Sequence, residues 1–147
     1  MNLVFETIIE SSYLHIKSRF TLDLFLALKP PLVNLDVIRF DGCSTGNEIH
    51  LNLTFLHKKQ TWVSVITQEK HNDKEWSFID EGKIMPWPLA KWRHHHRVVS
   101  LGDNSSKIID DITFECMHSW MNVFMYPALW FTFAIRPRRY KKFFQGE

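Results

Sequence analysis

The sequence predicts an α+β domain in which a curved antiparallel sheet of about seven strands wraps around a long C-terminal helix, with short helices after the first strand. Three observations predict it. Apolar residues recur at helical spacing from Tyr13 to Leu28 and stop at Pro30-Pro31. From about Val33 to Cys116 the pattern changes to period two, broken at intervals by turn residues. From Trp120 to Ile135 the chain is apolar almost all round.

Residues 3–9, rich in β-branched and aromatic side chains, read as the first strand, and Ser11 and Ser12 as N-cap candidates for a helix after it. Leu14, Ile16, Phe20, Leu24, Phe25 and Leu28 then mark one broken helix or two short ones. Turn chemistry at Asp41-Gly42, His57-Lys58-Lys59-Gln60, Asn72-Asp73 and Gly102-Asp103-Asn104 divides the next region into a meander of about six strands. Its clearest alternation sets Ile49, Leu51, Leu53 and Phe55 against Glu48, His50, Asn52 and Thr54, a strand with one wet face. Lys83 to Leu89, with Pro86 and Pro88, reads as a loop because proline cannot donate ladder bonds, and its part Met85-Pro86-Trp87-Pro88-Leu89 is placed to close over a cavity mouth or to serve as a rigid surface connection. Ser119 to Phe144 reads as the final helix. Its apolar stretch is shorter than the roughly 20 residues that span a bilayer, so a helix enclosed by the sheet is expected, kinked or split at Pro137.

The bulk properties narrow the function classes. A length of 147 residues fits one domain, so residues 1–147 are read as a single unit. A formal net charge of +2 is too small for a nucleic-acid footprint. The one basic cluster, Arg136, Arg138, Arg139, Lys141 and Lys142, complements a helix macrodipole at its C-terminus or meets an anionic partner or membrane surface. Cys43 and Cys116 have no Cys-x-x-Cys spacing, which indicates neither a disulfide framework nor a zinc-thiolate site. The opening residues lack a basic n-region and reach Glu6 early, so a cytosolic address is the expectation. The 12 Phe, 6 Trp and 3 Tyr suffice for a large core or for a pocket holding an apolar molecule, and composition does not choose.

The most informative segment is Trp92-Arg93-His94-His95-His96-Arg97. On a strand Trp92, His94 and His96 share one face, and the two arginines on the other belong in water. Imidazoles turned inward need hydrogen-bond partners. In the next strand Ile108, Ile112 and Phe114 form the apolar face, which turns Asp110 inward with them and Asp111 outward. A turn centred on Asp103 sets Asp110 directly opposite His96, with Cβ atoms roughly 4.5–5.5 Å apart; a two-residue slip sets it opposite Val98. Three readings of this set stay open. It is a buried His–Asp bond that pins two strands, a polar pole orienting a ligand in an apolar cavity with acid–base catalysis as a special case, or a metal site. No third metal ligand stands out, no cofactor is expected, and the scattered His15, His50, His57, His71 and His118 have no catalytic spacing.

The order Leu28-Lys29-Pro30-Pro31, Arg39-Phe40-Asp41-Gly42, Trp62-Val63-Ser64-Val65-Ile66, Phe78-Ile79-Asp80, Trp92-x-His94-x-His96 and Ile109-Asp110-Asp111-Ile112 resembles the START-like SRPBCC superfamily, also called helix-grip or Bet v 1-like, over nearly the whole chain. The Trp-x-His-x-His strand followed by an inward Asp is similar to a bacterial branch described as polyketide cyclase-like. The resemblance implies a seven-stranded sheet gripping the C-terminal helix, with a cavity between them for a lipid-like or other apolar ligand. Trp92, His94, His96 and Asp110 are the motif positions that carry over as candidate ligand-binding residues, with no catalytic role assigned. A binding module for an apolar molecule with a polar end is the first expectation. The alternative is a cyclase or dehydratase using His96, held by Asp110, as base.

Overall fold

The structure is a computed structural model and describes residues 1–146. Strand β1 (Asn2–Ile9) leads into α1 (Tyr13–Ser18) and α2 (Leu22–Ala27). Strands β2 (Asn34–Phe40), β3 (Glu48–Phe55), β4 (Lys58–His71), β5 (Glu75–Ile84), β6 (Leu89–Gly102) and β7 (Ser105–Cys116) come next in succession, and α3 (Met121–Ala134) and α4 (Arg136–Gln145) end the chain. The strands form one antiparallel sheet in the order β1-β7-β6-β5-β4-β3-β2. Hairpin neighbours pair in sequence, while the two helices carry the chain across the concave face and leave the free edge of β7 for β1.

Local chemistry sets the boundaries. The Ser12 hydroxyl accepts the His15 N–H at 3.2 Å and starts α1. The β3–β4 turn is tighter than the expected His57 to Gln60: it consists of Leu56 and His57, both at positive φ (48° and 66°), and Lys58, Lys59 and Gln60 already pair with Phe55, Thr54 and Leu53. Two-residue turns of this hand match the twist of the flanking strands, which outweighs the poor fit of Leu to the left-handed region. Lys83 and Ile84, expected in a loop, extend β5, because the missing donors begin only at Pro86.

Bulges make the sheet curl. Register shifts fall in β2 between Val37 and Arg39, and in the β4–β5 pair at Val63/Ser64 and Ile66/Gln68. Each inserts an extra residue that bends the strand and increases twist. The concave face carries two apolar clusters. Ile16 and Leu24 pack with Ile66, Phe78, Val98 and Tyr140 under α1, α2 and α4. Leu3, Trp92, Ile112 and Phe114 pack with Leu129 and Phe133 under α3.

The C-terminal helix splits as Pro137 predicts. Ile135 keeps a right-handed backbone (φ −83°, ψ −18°) between α3 and α4, and Pro137 takes a first-turn position of α4, where a missing N–H costs nothing. Burial of α3 is less complete than its composition implies. Only Leu129 and Phe133 are buried on it, while Phe124 and Phe131 are 72% and 67% exposed. The reason is competition for the concave face. Residues of α1, α2 and α4 fill one cluster, and α3 is left the β1–β7 margin. No helix among the described residues is long and apolar enough to cross a membrane.

Replacing the fully buried side chain in Tyr140→Ala is expected to lower the free energy of unfolding by about 3–5 kcal/mol in urea titrations. In the same assay Phe124→Ser should stay within about 0.5 kcal/mol of the parent protein. The double substitution Leu56→Asn with His57→Gly should add about 1 kcal/mol by supplying side chains suited to both left-handed positions.

Candidate functional site

The inward set lies at the seam between the two clusters. On β6, Trp92, His94, His96 and Val98 alternate inward, and the β6–β7 register places His96 opposite Asp110 and His94 opposite Ile112. His94 is 3% exposed, His96 9% and Asp110 1%. The strand periodicity therefore places all four sequence-predicted residues, Trp92 included, on one buried face.

The carboxylate contacts are not those that register alone suggests. His94 Nε2 donates to Asp110 Oδ1 at 2.8 Å although it is the diagonal neighbour. His96 Nδ1, directly across the ladder, lies 3.5 Å from the same oxygen and makes no hydrogen bond. The His96 ring is stacked flat on Phe78, with centroids 4.4 Å apart and planes 14° from parallel. That stacking turns its edge away, while the His94 ring, 3.5 Å from His96 between centroids, leans across to the carboxylate.

Two residues from α4 complete the set. Arg136 Nη1 and the Tyr140 hydroxyl each donate to Asp110 Oδ1 at 3.3 Å. The Arg136 guanidinium lies 4.2 Å from the Phe133 ring centroid, so it is held between an aromatic face and a carboxylate. From the composition of the C-terminal cluster, Arg136 belongs with cations at a helix C-terminus. The break at Ile135 instead puts it in the first turn of α4, where the dipole disfavours a cation, and Asp110 compensates. A signal for Tyr140 was present in the sequence: it comes seven residues after Phe133, on the same helical face.

Asp80 is the further residue that sequence reasoning left out of the site. It sits opposite His94 across the β5–β6 ladder, continuing the inward alternation of Trp76 and Phe78. Its Oδ1 is buried without a partner. Burial pushes the Asp80 carboxyl up to about 6, offset in part by the Ser64 hydroxyl and by Arg136. Burial opposes the charge of Asp110 too, but the Arg136 guanidinium and the hydrogen bond from His94 outweigh it and hold this carboxyl well below the usual range. Burial also lowers both His94 and His96, the latter further because His94 lies against it. The cluster is thus an ionised Asp110–Arg136 pair flanked by two neutral imidazoles. Neutral His94, donating through Nε2, carries its proton there.

His94, His96 and Asp110 offer ligand atoms within 4.8 Å of one another, a spacing a metal ion can bridge. The Arg136 guanidinium already supplies positive charge at that carboxylate, so a cation held there would face like charge. Two open depressions, of about 350 and 270 Å³, lie on the outer face of the sheet around Arg93 and Thr113 and around His95 and Arg97. Neither is lined by His94, His96 or Asp110.

No protein-family model matches the chain, and no curated protein sequence does. Solved structures match over most of its length. A START superfamily protein from Mycobacterium smegmatis aligns at a TM-score of 0.61 and 12% identity, covering 94% of this chain and 95% of that one. A truncated norcoclaurine synthase from Thalictrum flavum aligns at 0.60 and 14% identity over 87% of this chain and 82% of that one. The Zhui aromatase/cyclase of a Streptomyces species aligns at 0.59 and 8% identity over 80% of this chain and 69% of that one.

The charge states make stability depend on pH in opposing senses. With its folded pKa depressed, Asp110 contributes stability above about pH 4 that is lost as pH falls through the acid range. Below about pH 6.5 the unfolded imidazoles take up protons that folded His94 and His96 refuse, which also lowers stability toward acid. Asp80 acts the other way: its raised pKa removes stability as pH rises from about 4 to 6. Thermal unfolding of Asp80→Asn should therefore show a larger gain in Tm at alkaline than at acid pH. Asp110→Asn, which strands the Arg136 charge, should cost about 3–5 kcal/mol at neutral pH.

Proposed function

Because the chain has the START/Bet v 1-like helix-grip fold, we propose that it binds a small apolar molecule with a polar end in the interior of that fold, oriented by Trp92, His94, His96, Asp110 and the Arg136 that joins them. One observation carries this reading. Three buried polar atoms, Asp80 Oδ1, His96 Nδ1 and Arg136 Nε, have no hydrogen-bond partner, and all belong to the one cluster at the seam. Each such group costs about 1–3 kcal/mol when left unmet. A polar end carried in by a ligand can meet them: Arg136 Nε donates to a carbonyl or hydroxyl oxygen, His96 Nδ1 donates or accepts by tautomer, and Asp80 Oδ1 accepts from a hydroxyl.

The charge balance selects the polar end. Asp110 and Arg136 neutralise one another, so a neutral group is favoured over a strongly ionised one. Phe20, Phe78, Trp92 and Phe133 surround the cluster and suit an aromatic or otherwise flat apolar body. These rings pack on one another, so binding has to part the helices from the sheet, an opening that costs part of the intrinsic affinity.

The alternative is a cyclase or dehydratase working in the same interior. Neutral His96 has the protonation state of a general base, and an Asp80 carboxyl near 6 suits proton transfer at neutral pH. Against it, His96 is stacked on Phe78, and the short bond to Asp110 belongs to His94. The likeness to an aromatase/cyclase and to a norcoclaurine synthase supports the fold on which such chemistry occurs and assigns no reaction.

Native mass spectrometry of the protein isolated from its own host provides the test. A small-molecule adduct on the parent protein, weakened by about tenfold or more in Arg136→Met, is the expected result. An unliganded mass throughout, with a high-resolution map in which ordered water satisfies all three atoms, would establish a purely structural role.

A further inference from the structure

The exposed side of α3 carries an apolar surface that the sheet does not use. Trp120, Phe124 and Phe131 are 62%, 72% and 67% exposed, and Val123 and Trp130 stand exposed beside them. Trp120 and Phe124 meet edge to face, with centroids 6.0 Å apart. The surface continues past the helix start, because the Met117 N–H donates to the Pro88 carbonyl at 2.9 Å and brings exposed Met117 beside exposed Trp87. Contiguous exposed apolar area of this kind marks a contact surface.

The neighbouring charge states what it contacts. Between Glu115 and Glu147 the chain has no acidic side chain, and its cations are concentrated in α4. Helix α4 follows α3 after the single residue Ile135, so its cations stand close to the exposed end of α3. Arg138, Lys141 and Lys142 are exposed, whereas Leu129, Phe133 and Tyr140 point to the sheet. An aromatic-rich, charge-free helix followed directly by exposed cations is the pattern of an element lying in the boundary of an anionic bilayer: aromatic rings sit at the headgroup level and cations meet the lipid phosphates. Helix α3 has 14 residues, about 21 Å at 1.5 Å per residue, too short to cross a hydrocarbon core of about 30 Å.

We infer that α3 and the exposed basic side of α4 form a docking surface for an anionic lipid membrane, with Trp120, Val123, Phe124 and Phe131 entering the headgroup boundary and Arg138, Lys141 and Lys142 contacting lipid phosphates. This surface is independent of the interior cluster, so its failure and that of the binding reading are distinguishable. Docking also brings the outer side of the helix that covers Trp92 and His94 against a phase rich in apolar molecules.

The test is co-sedimentation of the full chain with vesicles of phosphatidylcholine alone and with roughly 30% phosphatidylglycerol, at about 50 mM and 500 mM salt. Binding to the anionic vesicles at low salt is expected, reduced by about tenfold or more in Phe124→Ser with Phe131→Ser and again in Arg138→Glu with Lys141→Glu and Lys142→Glu. A blue shift of tryptophan emission on binding, abolished in Trp120→Ser, reports insertion of that ring. All substitutions are at exposed positions, and unchanged circular dichroism verifies folding. Absence of sedimentation at low salt overturns the proposal, as does sedimentation that neither set of substitutions weakens. A concentration-dependent dimer in analytical ultracentrifugation, lost in Phe124→Ser with Phe131→Ser and accompanied by no vesicle binding, assigns the surface to a second copy instead and equally overturns it.

Discussion

The contact between Asp110 and Arg136 governs how the two halves of the molecule meet. Asp110 stands in the middle of β7, flanked by Ile108 and Ile112, where an ionised carboxylate in apolar surroundings would cost several kcal/mol without a partner. Its partner comes from the first turn of α4, and Tyr140 one turn later donates to the same oxygen. One buried charge therefore fixes both the depth and the rotation of α4 against the sheet. His94 adds the third donor from β6, and α4, β6 and β7 thus share a single acceptor. A set that satisfies Asp110 so fully leaves other groups short, and Asp80 Oδ1, His96 Nδ1 and Arg136 Nε are those groups.

The break between α3 and α4 divides the C-terminal segment into two jobs. Helix α4 places Tyr140 in the larger cluster and Arg136 on the carboxylate. Helix α3 covers Trp92 and Phe114 with Leu129 and Phe133 and presents its remaining circumference outward. A single straight helix would have had to serve both the seam and the β1–β7 margin. Pro137, which fits the first turn of a helix without loss of a hydrogen bond, lets the chain restart at the point where Arg136 reaches inward. The same restart explains why Arg136 sits at the dipole's unfavourable end: its role is set by a buried anion, a stronger demand than the macrodipole makes.

Much of this was legible in the chain. Period-two alternation through Trp92, His94, His96 and through Ile108, Asp110, Ile112 puts these side chains on the face they occupy, because strand geometry leaves no freedom once one residue of the strand is known to be buried. The expected register of His96 opposite Asp110 is also observed, although the turn is the residue pair Asp103-Asn104 between paired Gly102 and Ser105, and an irregularity between Ser100 and Gly102 restores the alignment. The first short helix starts at its Ser12 cap and the second stops before the proline pair, as the sequence indicates. The β3–β4 turn differed because Leu56 and His57 carry none of the residues that usually signal positive φ, and the strand pairing imposed that conformation on them.

Backbone periodicity and local chemistry, acting over a few residues, let the sequence alone determine the strand faces, the limits of the short helices, the β6–β7 register and the inward set on β6 and β7. Tertiary packing decided which imidazole bonds the carboxylate, because stacking of His96 on Phe78 depends on a strand pair separated by 18 residues in the chain. It also brought Arg136 and Tyr140 to Asp110 and left the outer side of α3 uncovered. Those outcomes depend on how much of the concave face each helix occupies, a competition for shared volume that no local pattern encodes.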